Sequence, residues 1–570
     1  MGPWLRRARR TCAGLLLPLA PALAQTPHSA TQEWLRQQTR ERVLREQRET
    51  APDVRSRRAP PPLPEWLPRN EAPCVPIDRI RLTGEEADHF LWSLQAANPR
   101  HDPATGRCLG TAGINVVMAR VQNAIVARGF VTTRILAAPQ DLTTGTLTLT
   151  LVPGRLRSIR FAPGTSLKAT SWNAVPARRG DLLDLRDIEQ ALENFKRLPT
   201  VEADIQITPA EGLDARPGES DLVVRWRQRS PPARISVSLD DAGSKATGRL
   251  QGSATLSLDD LLMWNDLFYA NVNQGVFNAN RRNSQGYALH YSVPYGYWAL
   301  GVTIGGYSYR QTVAGYRQHY VYRGTSKNAE VRLSRLIYRD ARSKTSLYGR
   351  GWMRQSNNFI DDTEIEVQRR RTGGWELGLS HRAYLGESTL DASLAYRRGT
   401  GAFHAMAAPE EAFGEGTSRM KVVTADVQWI VPLRLGAQRA RYIGSWRAQW
   451  DRTPLVPQDR FAIGGRYTVR GFDGELTLMG ERGWVWRNEL ALLLGAGQEL
   501  YVGVDQATSA GPPRAGSWGA TWPAQSSGCT AAPRASIGTS SPASRCPDPR
   551  LQDPLAEHGL HAQLVLLRTH

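Results

Sequence analysis

The chain has 570 residues, 41% of them hydrophobic, with a formal net charge of +19 and five cysteines. That length is too great for one ordinary soluble domain, so several domains, or small domains beside one large barrel, are expected. The charge does not call for nucleic acid. Residues 1–70 hold thirteen Lys and Arg against six Asp and Glu, a local +7, and the runs Arg281-Arg282, Arg369-Arg370-Arg371 and Arg397-Arg398 read as solvated loops between strands.

Met1–Ala24 carries Arg6, Arg7, Arg9 and Arg10, then the apolar run Ala13–Leu23, with Ala22-Leu23-Ala24 just before Gln25. This is the layout of a cleavable secretory signal, so residues 1–24 are expected to be removed on export. After it there is no run of about eighteen apolar residues, which argues against a membrane-spanning helix. A membrane protein with this sequence would have to be a barrel. The mean hydropathy of −0.42 does not decide against one, since barrel strands turn an apolar face to lipid and a polar face to the lumen.

Thr31–Glu49 reads as a helix rich in Gln, Arg and Glu, with Glu41 four residues before Arg45. Only Trp34, Leu35, Val43 and Leu44 could form an apolar face, too few for a buried core helix. Residues 51–73 follow as a proline-rich, semi-rigid spacer. Val75–Gly84 then reads as a strand, Ala87–Asn98 and Thr111–Arg128 as helices, and Thr132–Ala138 and Gly145–Val152 as strands. In the last of these Leu147, Leu149 and Leu151 share one face and threonines the other. A second, looser unit comprises Leu156–Phe161, a helix over Leu185–Leu198, and strands Val201–Ile207 and Asp221–Arg227.

From about Pro231 the texture changes to alternating segments of about ten residues separated by Gly, Asn and Asp turns, as transmembrane barrel strands require. Ile235, Val237 and Leu239 alternate with Ser236, Ser238 and Asp240, and Val423, Ala425, Val427 and Trp429 with Thr424, Asp426 and Gln428. A soluble β-sandwich is the alternative architecture. In Glu499–Asp505, Leu500, Val502 and Val504 point one way, so Tyr501, Gly503 and Asp505 point the other, into the lumen if the aliphatic side meets lipid.

Between two of these segments lies Gly464-Gly465-Arg466-Tyr467-Thr468-Val469-Arg470-Gly471-Phe472-Asp473-Gly474-Glu475, whose glycines permit a tight hairpin. Val469-Arg470-Gly471-Phe472 resembles the loop motif of outer-membrane assembly and translocation barrels. Gly113-Ile114-Asn115, Gln122-Asn123, Arg128-Gly129-Phe130-Val131-Thr132-Thr133 and Pro139-Gln140-Asp141-Leu142 closely resemble a first POTRA domain. In its order of parts the chain resembles two-partner secretion transporters of the FhaC/ShlB/HecB type.

The resemblance implies a mainly β fold: a plug helix at 25–50, a linker at 51–73, α+β POTRA domains at 74–153 and 154–229, and an antiparallel transmembrane barrel of about 16 strands from residue 230. It implies outer-membrane localisation with the POTRA domains in the periplasm. The partners would be membrane lipid and one secreted exoprotein, a TpsA-type adhesin or haemolysin, with no cofactor. The motif hairpin would comprise Val469, Arg470, Gly471, Phe472 and Asp473, with Asp505 as the lumen partner of Arg470. Many relatives carry a cysteine pair at the places of Cys74 and Cys108, and an oxidising compartment favours a disulfide there.

No Gly-x-Ser-x-Gly elbow, phosphate loop or His-Glu-x-x-His occurs, so no catalytic or metal residues are assigned and an enzyme is not expected. An outer-membrane assembly factor and a passive porin are the rival functions. Residues 506–570 depart from the family pattern: Gln506-Ala507-Thr508 follows the aspartate, and the stretch holds eight prolines and no Tyr or Phe. Translation in another frame would give such a tail. The barrel is therefore expected to be incomplete over 230–505, the tail irregular, and this chain unable to secrete.

Overall fold

The computed structural model of the protein describes residues 26–49, 52–55, 66–276, 282–464, 468–469, 475, 477–495, 498–511 and 524–534. The expected signal, residues 1–24, lies outside them. Helix α1 (Thr26–Arg48) starts five residues before the expected Thr31, since Pro27 is admissible in a first turn whose N–H groups have no partner within the helix.

In the first α+β unit Arg79–Gly84, Thr146–Val152 and Arg134–Leu136 form one sheet, the first pair parallel and the second antiparallel. The expected strand Val75–Gly84 is interrupted at Asp78, whose N–H turns to the Gly145 carbonyl (2.7 Å), leaving Val75–Ile77 to pair with Arg107–Leu109. The expected helix over Ala87–Asn98 is one α-helical turn, Ala87–Phe90, running into a 3₁₀ segment, Leu91–Ala97. Helix α2 (Thr111–Ala127) lays Val117, Val121 and Ile125 on Leu147, Leu149 and Leu151, so the leucine–threonine alternation packs one face of the strand into the core.

The second unit repeats this plan with Arg155–Phe161, Glu219–Gln228 and Val201–Pro209. Helix α3 (Leu185–Lys196) is capped by Asp184, whose carboxylate accepts from the Arg186 N–H (2.8 Å). Its residues Ile188, Ala191, Leu192 and Phe195 fall on one helical stripe and bury against Val201, Leu222, Val224 and Trp226.

Then the barrel begins. Strands β1 (Ala233–Asp240), β2 (Gln251–Asp259), β3 (Leu267–Gly275), β4 (Asn283–Tyr295) and β5 (Trp298–Ala314) lead into β6 (His319–Arg339) and β7 (Ser343–Ile360). They are followed by β8 (Arg370–Leu385), β9 (Ser388–Thr400), β10 (Lys421–Leu435), β11 (Gln438–Asp451), β12 (Arg482–Gly495), β13 (Gln498–Ala510) and β14 (Ala524–Arg534). Neighbours pair antiparallel in chain order, with β1 and β14 at the two ends of the path. Fourteen strands thus stand along this path among the described residues, and the two-residue Thr363–Glu364 pairs with β7 off it.

Two-residue turns such as Gly296-Tyr297 and Gly386-Glu387 join strands at one end, and long segments such as 401–420 and 452–481 join them at the other. Ile235, Val237 and Leu239 of β1, Val331 and Leu333 of β6, Leu377 and Leu379 of β8, and Leu500, Val502 and Val504 of β13 are exposed on the outside, an apolar band for lipid. The inner face is polar, as where Ser238 and Ser253 meet at 2.9 Å.

Two readings need correction. Arg397 and Arg398 are not in a loop but in β9: Arg397 lies over the Trp352 ring at 4.4 Å and near Asp459 at 3.8 Å, because a polar lumen accepts a charge that a closed core would reject. Irregular structure does not begin at Gln506 either. Strand β13 continues through Ala510 with Ala507 and Ser509 buried, and Ala524–Arg534 pairs alongside it. Pro533 is admissible there because, among the described residues, β14 has a neighbour on one side alone, so its missing N–H can fall on the other side. Residues 512–523 and 535–570 lie outside the described residues.

Candidate functional site

The polar helix α1 threads the barrel. At the loop end Glu33 is buried, pairs with Arg36 (2.9 Å) and accepts from Thr247 Oγ1 in the β1–β2 loop (3.1 Å). Trp34 packs on Tyr307 of β5 with centroids 5.9 Å apart. Halfway along, Arg40 reaches Gln251 of β2 (3.4 Å) and Glu41 accepts from Asn328 Nδ2 of β6 (3.0 Å).

Toward the turn end Arg45 pairs with Glu330 of β6 (2.6 Å), and Glu330 is also held by Arg350 of β7 (3.2 Å). Arg48 donates to Ser236 of β1, while Glu49 meets Tyr269 OH of β3 and His290 Nε2 of β4, each at 3.3 Å. On the opposite side Glu46 faces Arg447 of β11 at 3.8 Å. Partners on β1 to β7 and on β11 mean that the helix occupies the lumen, and 23 residues at about 1.5 Å each span a bilayer core. A helix without an apolar stripe is stable here because its charges find partners all round.

The second lumen feature is the segment between β11 and β12. Phe461–Ile463 and Leu478–Gly480 pair as a short hairpin base against β13, fixed by Ser509 Oγ donating to the Phe461 carbonyl (3.1 Å). Phe461, Ile463 and Val469 bury together with Val485 and Ala507, so a small apolar cluster roots the hairpin in the barrel wall. At its other flank Glu475 accepts from the Lys245 N–H (2.7 Å), joining the segment to the β1–β2 loop.

Of the motif residues, Val469 is fully buried, whereas Arg470, Gly471, Phe472 and Asp473 lie outside the described residues. Asp505 is 0% exposed on the inner face of β13, opposite Arg487 in register, while its neighbours Val502 and Val504 face outward.

In the first α+β unit Cys74 and Cys108 are bonded, with Cα atoms 5.3 Å apart. Gln122 joins α2 to the sheet, donating to the Thr133 carbonyl (2.7 Å) and accepting from the Ile135 N–H (2.8 Å). Gln140 pairs its side-chain amide with both backbone groups of Thr148 (2.7 and 2.8 Å). Burial would raise the Asp102 carboxyl, but hydrogen bonds from Arg120 and the Leu67 N–H hold it below the usual carboxylate range. Among the described residues Arg79–Gly84 and Arg134–Leu136 edge the first sheet, and Arg155–Phe161 and Val201–Pro209 the second.

Sequence reasoning missed how firmly the second unit sits on the barrel. Glu193 of α3 binds Arg339 and Lys344 (both 3.1 Å), Glu189 binds Arg339 (3.2 Å), and Arg339 also holds the Val54 carbonyl of the linker (2.8 Å). Arg197 donates to Ser292 Oγ (2.6 Å) and Tyr297 donates to Asp187. Burial pushes the Asp187 carboxyl up to about 6, against the pull of that hydroxyl. The only sequence signal was the acidic face of α3, which resembles any solvated helix.

Residues 218–524 match the haemolysin secretion/activation protein ShlB/FhaC/HecB family, 75–154 its ShlB-type POTRA domain, and 155–209 a further POTRA domain. The chain belongs to the ShlB/FhaC/HecB family. Outer membrane transporter CdiB-2 of Burkholderia pseudomallei (strain 1026b) is 36% identical over 499 residues, covering 85% of this chain and 84% of that protein. Hemolysin transporter protein ShlB of Serratia marcescens is 26% identical, covering 76% and 74%. The solved structure of CdiB from Acinetobacter baumannii superposes with a TM-score of 0.75 at 31% identity, covering 88% of this chain and 92% of that one. This ShlB/FhaC/HecB member is accordingly an outer-membrane β-barrel transporter of two-partner secretion with two POTRA domains, and the assembly-factor reading is not favoured. Family members are transporters, not enzymes.

Proposed function

We propose that the transporter takes one unfolded TpsA-type exoprotein, an adhesin, a haemolysin or a protein of the kind its CdiB relatives export, and passes it through the barrel lumen after α1 has moved aside. The observation that carries this reading is the helix itself. A polar rod lies along the polar lumen through which a client would pass, and its contacts are hydrogen bonds and ion pairs that water can replace. The POTRA sheet edges would receive the extended client by backbone pairing, and the motif hairpin would be held by a bond between Arg470 and Asp505.

The test is co-expression of the chain, with its closing strands repaired, with a TpsA-type exoprotein that carries an N-terminal secretion domain. Surface or medium export that requires the transporter supports the reading. Export unchanged when α1 is cross-linked to β6 through Glu41→Cys and Asn328→Cys would refute passage through the lumen.

A further inference from the structure

The turn between β2 and β3 is built to present apolar side chains. Asp260, Asn265 and Asp266 are buried, and Asp266 accepts from the N–H groups of Leu262 (3.0 Å) and Trp264 (3.1 Å) while Asp260 accepts from that of Asn265 (2.8 Å). The acids satisfy the turn's backbone from within, and Met263 and Asn265 adopt left-handed φ values of 60° and 53°. What remains outside is Leu261, Leu262, Met263 and Trp264, four consecutive large apolar side chains, each 45–51% exposed. Four such residues in a row facing water are unfavourable, and a contiguous apolar patch marks a contact surface.

The second POTRA domain adds to the same patch. Its Asn173 donates to the carbonyls of Trp264 and Pro294 (3.2 Å to the latter) and accepts from Asn265 Nδ2 (2.9 Å), and Thr170 Oγ1 donates to the Met263 carbonyl (3.1 Å). These bonds place Trp172 between Trp264 and Tyr295, with ring centroids 6.1 and 6.0 Å away. Tyr295 ends β4, whose Leu289 belongs to the lipid-facing band, so the patch continues that band past the strand ends. Exposed Lys168 lies in the same POTRA loop.

We infer that this patch is a membrane foot: Leu261–Trp264 and Trp172 insert into the periplasmic leaflet of the outer membrane, with Lys168 facing the headgroup phosphates. Continuity with the lipid band selects phospholipid as the occupant, and tryptophan and tyrosine at the rim suit the headgroup level. The second POTRA domain is then held to the lipid surface by its own loop as well as to the barrel, and its outer sheet edge keeps one orientation to the pore.

The test uses the full chain with Cys12→Ser, Cys529→Ser and Cys546→Ser, leaving the Cys74–Cys108 disulfide intact, and an environment-sensitive fluorophore on Leu262→Cys, Trp172→Cys or, as a water-exposed control, Leu213→Cys. The protein is placed in phosphatidylethanolamine–phosphatidylglycerol vesicles with nitroxide-bearing lipid. At 262 and 172 a blue-shifted emission, quenched by the lipid nitroxide and shielded from iodide, is expected, and the opposite at 213. Iodide quenching at 262 and 172 equal to that at 213 would overturn the inference. So would shielding that arises only when the exoprotein is added, since the patch would then be a client surface. A Leu262→Glu, Met263→Glu chain that retains a heat-modifiable barrel separates loss of lipid contact from loss of fold: its fluorophore at 172 should lose lipid quenching, and retention would count against the foot.

Discussion

Replacing Arg45 by alanine removes an ion pair between the plug and the barrel wall. Its guanidinium lies 2.6 Å from Glu330, with the two side chains 23% and 13% exposed, so the pair is neither a screened surface contact nor a sealed one. Glu330 keeps Arg350 at 3.2 Å after the change, and Glu49 keeps Tyr269, so no carboxylate is left bare. A charge-assisted bond lost without a stranded charge amounts to about 1–3 kcal/mol, which multiplies the odds of an open lumen by roughly 5- to 150-fold. Single-channel recording in planar bilayers reads this directly, as longer or more frequent openings with the same open conductance. Glu330→Ala on top of Arg45→Ala should add less than it does alone, since the two share one contact. Unaltered open probability in Arg45→Ala would refute the view that these ion pairs hold the plug.

The Cys74–Cys108 bond closes a loop of 34 residues, so Cys74→Ser should destabilise the first POTRA domain by about 3–4 kcal/mol in urea unfolding, and alkylation of non-reduced protein should find both thiols blocked. Asp187 has its folded pKa raised to about 6 from an unfolded 3.8, so its contribution favours folding most below 3.8 and is lost as pH rises through 6. Asp187→Asn should therefore flatten the pH dependence of unfolding between those values and stabilise the protein at pH 7 by up to about 3 kcal/mol. A steeper pH dependence in the variant would count against this. In a chain whose closing strands have been repaired, Arg470→Ala and Asp505→Ala should each cut secretion strongly and less than additively together, and full additivity would mean that they act apart.

What could be read from the sequence was whatever depends on local period. The two-residue rhythm of Leu500–Asp505 places Asp505 on the inner face of β13, and the 3.6-residue rhythm of Ile188–Phe195 makes α3 a packed helix. The charge partners of α1 obey no period, because which strand meets Glu33 or Arg45 depends on how the helix is rotated in the lumen, a tertiary fact. The same holds for Asp266, whose carboxylate turns inward to satisfy a turn that looks, as Asp-Leu-Leu-Met-Trp-Asn-Asp, like part of an apolar strand. The break at Asp78 was invisible because Val75–Gly84 has strand propensity throughout, and the Gly145 carbonyl that draws the chain aside is distant in sequence.

Strand β14 is where the expectation of an incomplete barrel meets the structure. Its backbone pairs with β13, setting Pro533, Ala531 and Cys529 beside Leu500, Val502 and Val504. In register Gln525, Ser527, Cys529 and Ala531 stand opposite Thr508, Gln506, Val504 and Val502, and no large apolar residue occurs anywhere in Ala524–Arg534. Hydrogen bonding alone does not retain a strand in hydrocarbon, where its outward residues must be apolar. Burying a Val or Leu is worth about 1.5–3 kcal/mol, so four such positions forgo roughly 6–12 kcal/mol, comparable to the whole stability of a folded domain. The chain with β14 as it stands should consequently give little heat-modifiable barrel in outer-membrane fractions and little secreted client. Gln525→Leu, Ser527→Val, Cys529→Val and Ala531→Leu together should raise both. Equal heat-modifiable barrel and equal secretion from the two chains would show that the existing β14 closes the wall adequately, and that the expectation of a non-secreting protein is wrong.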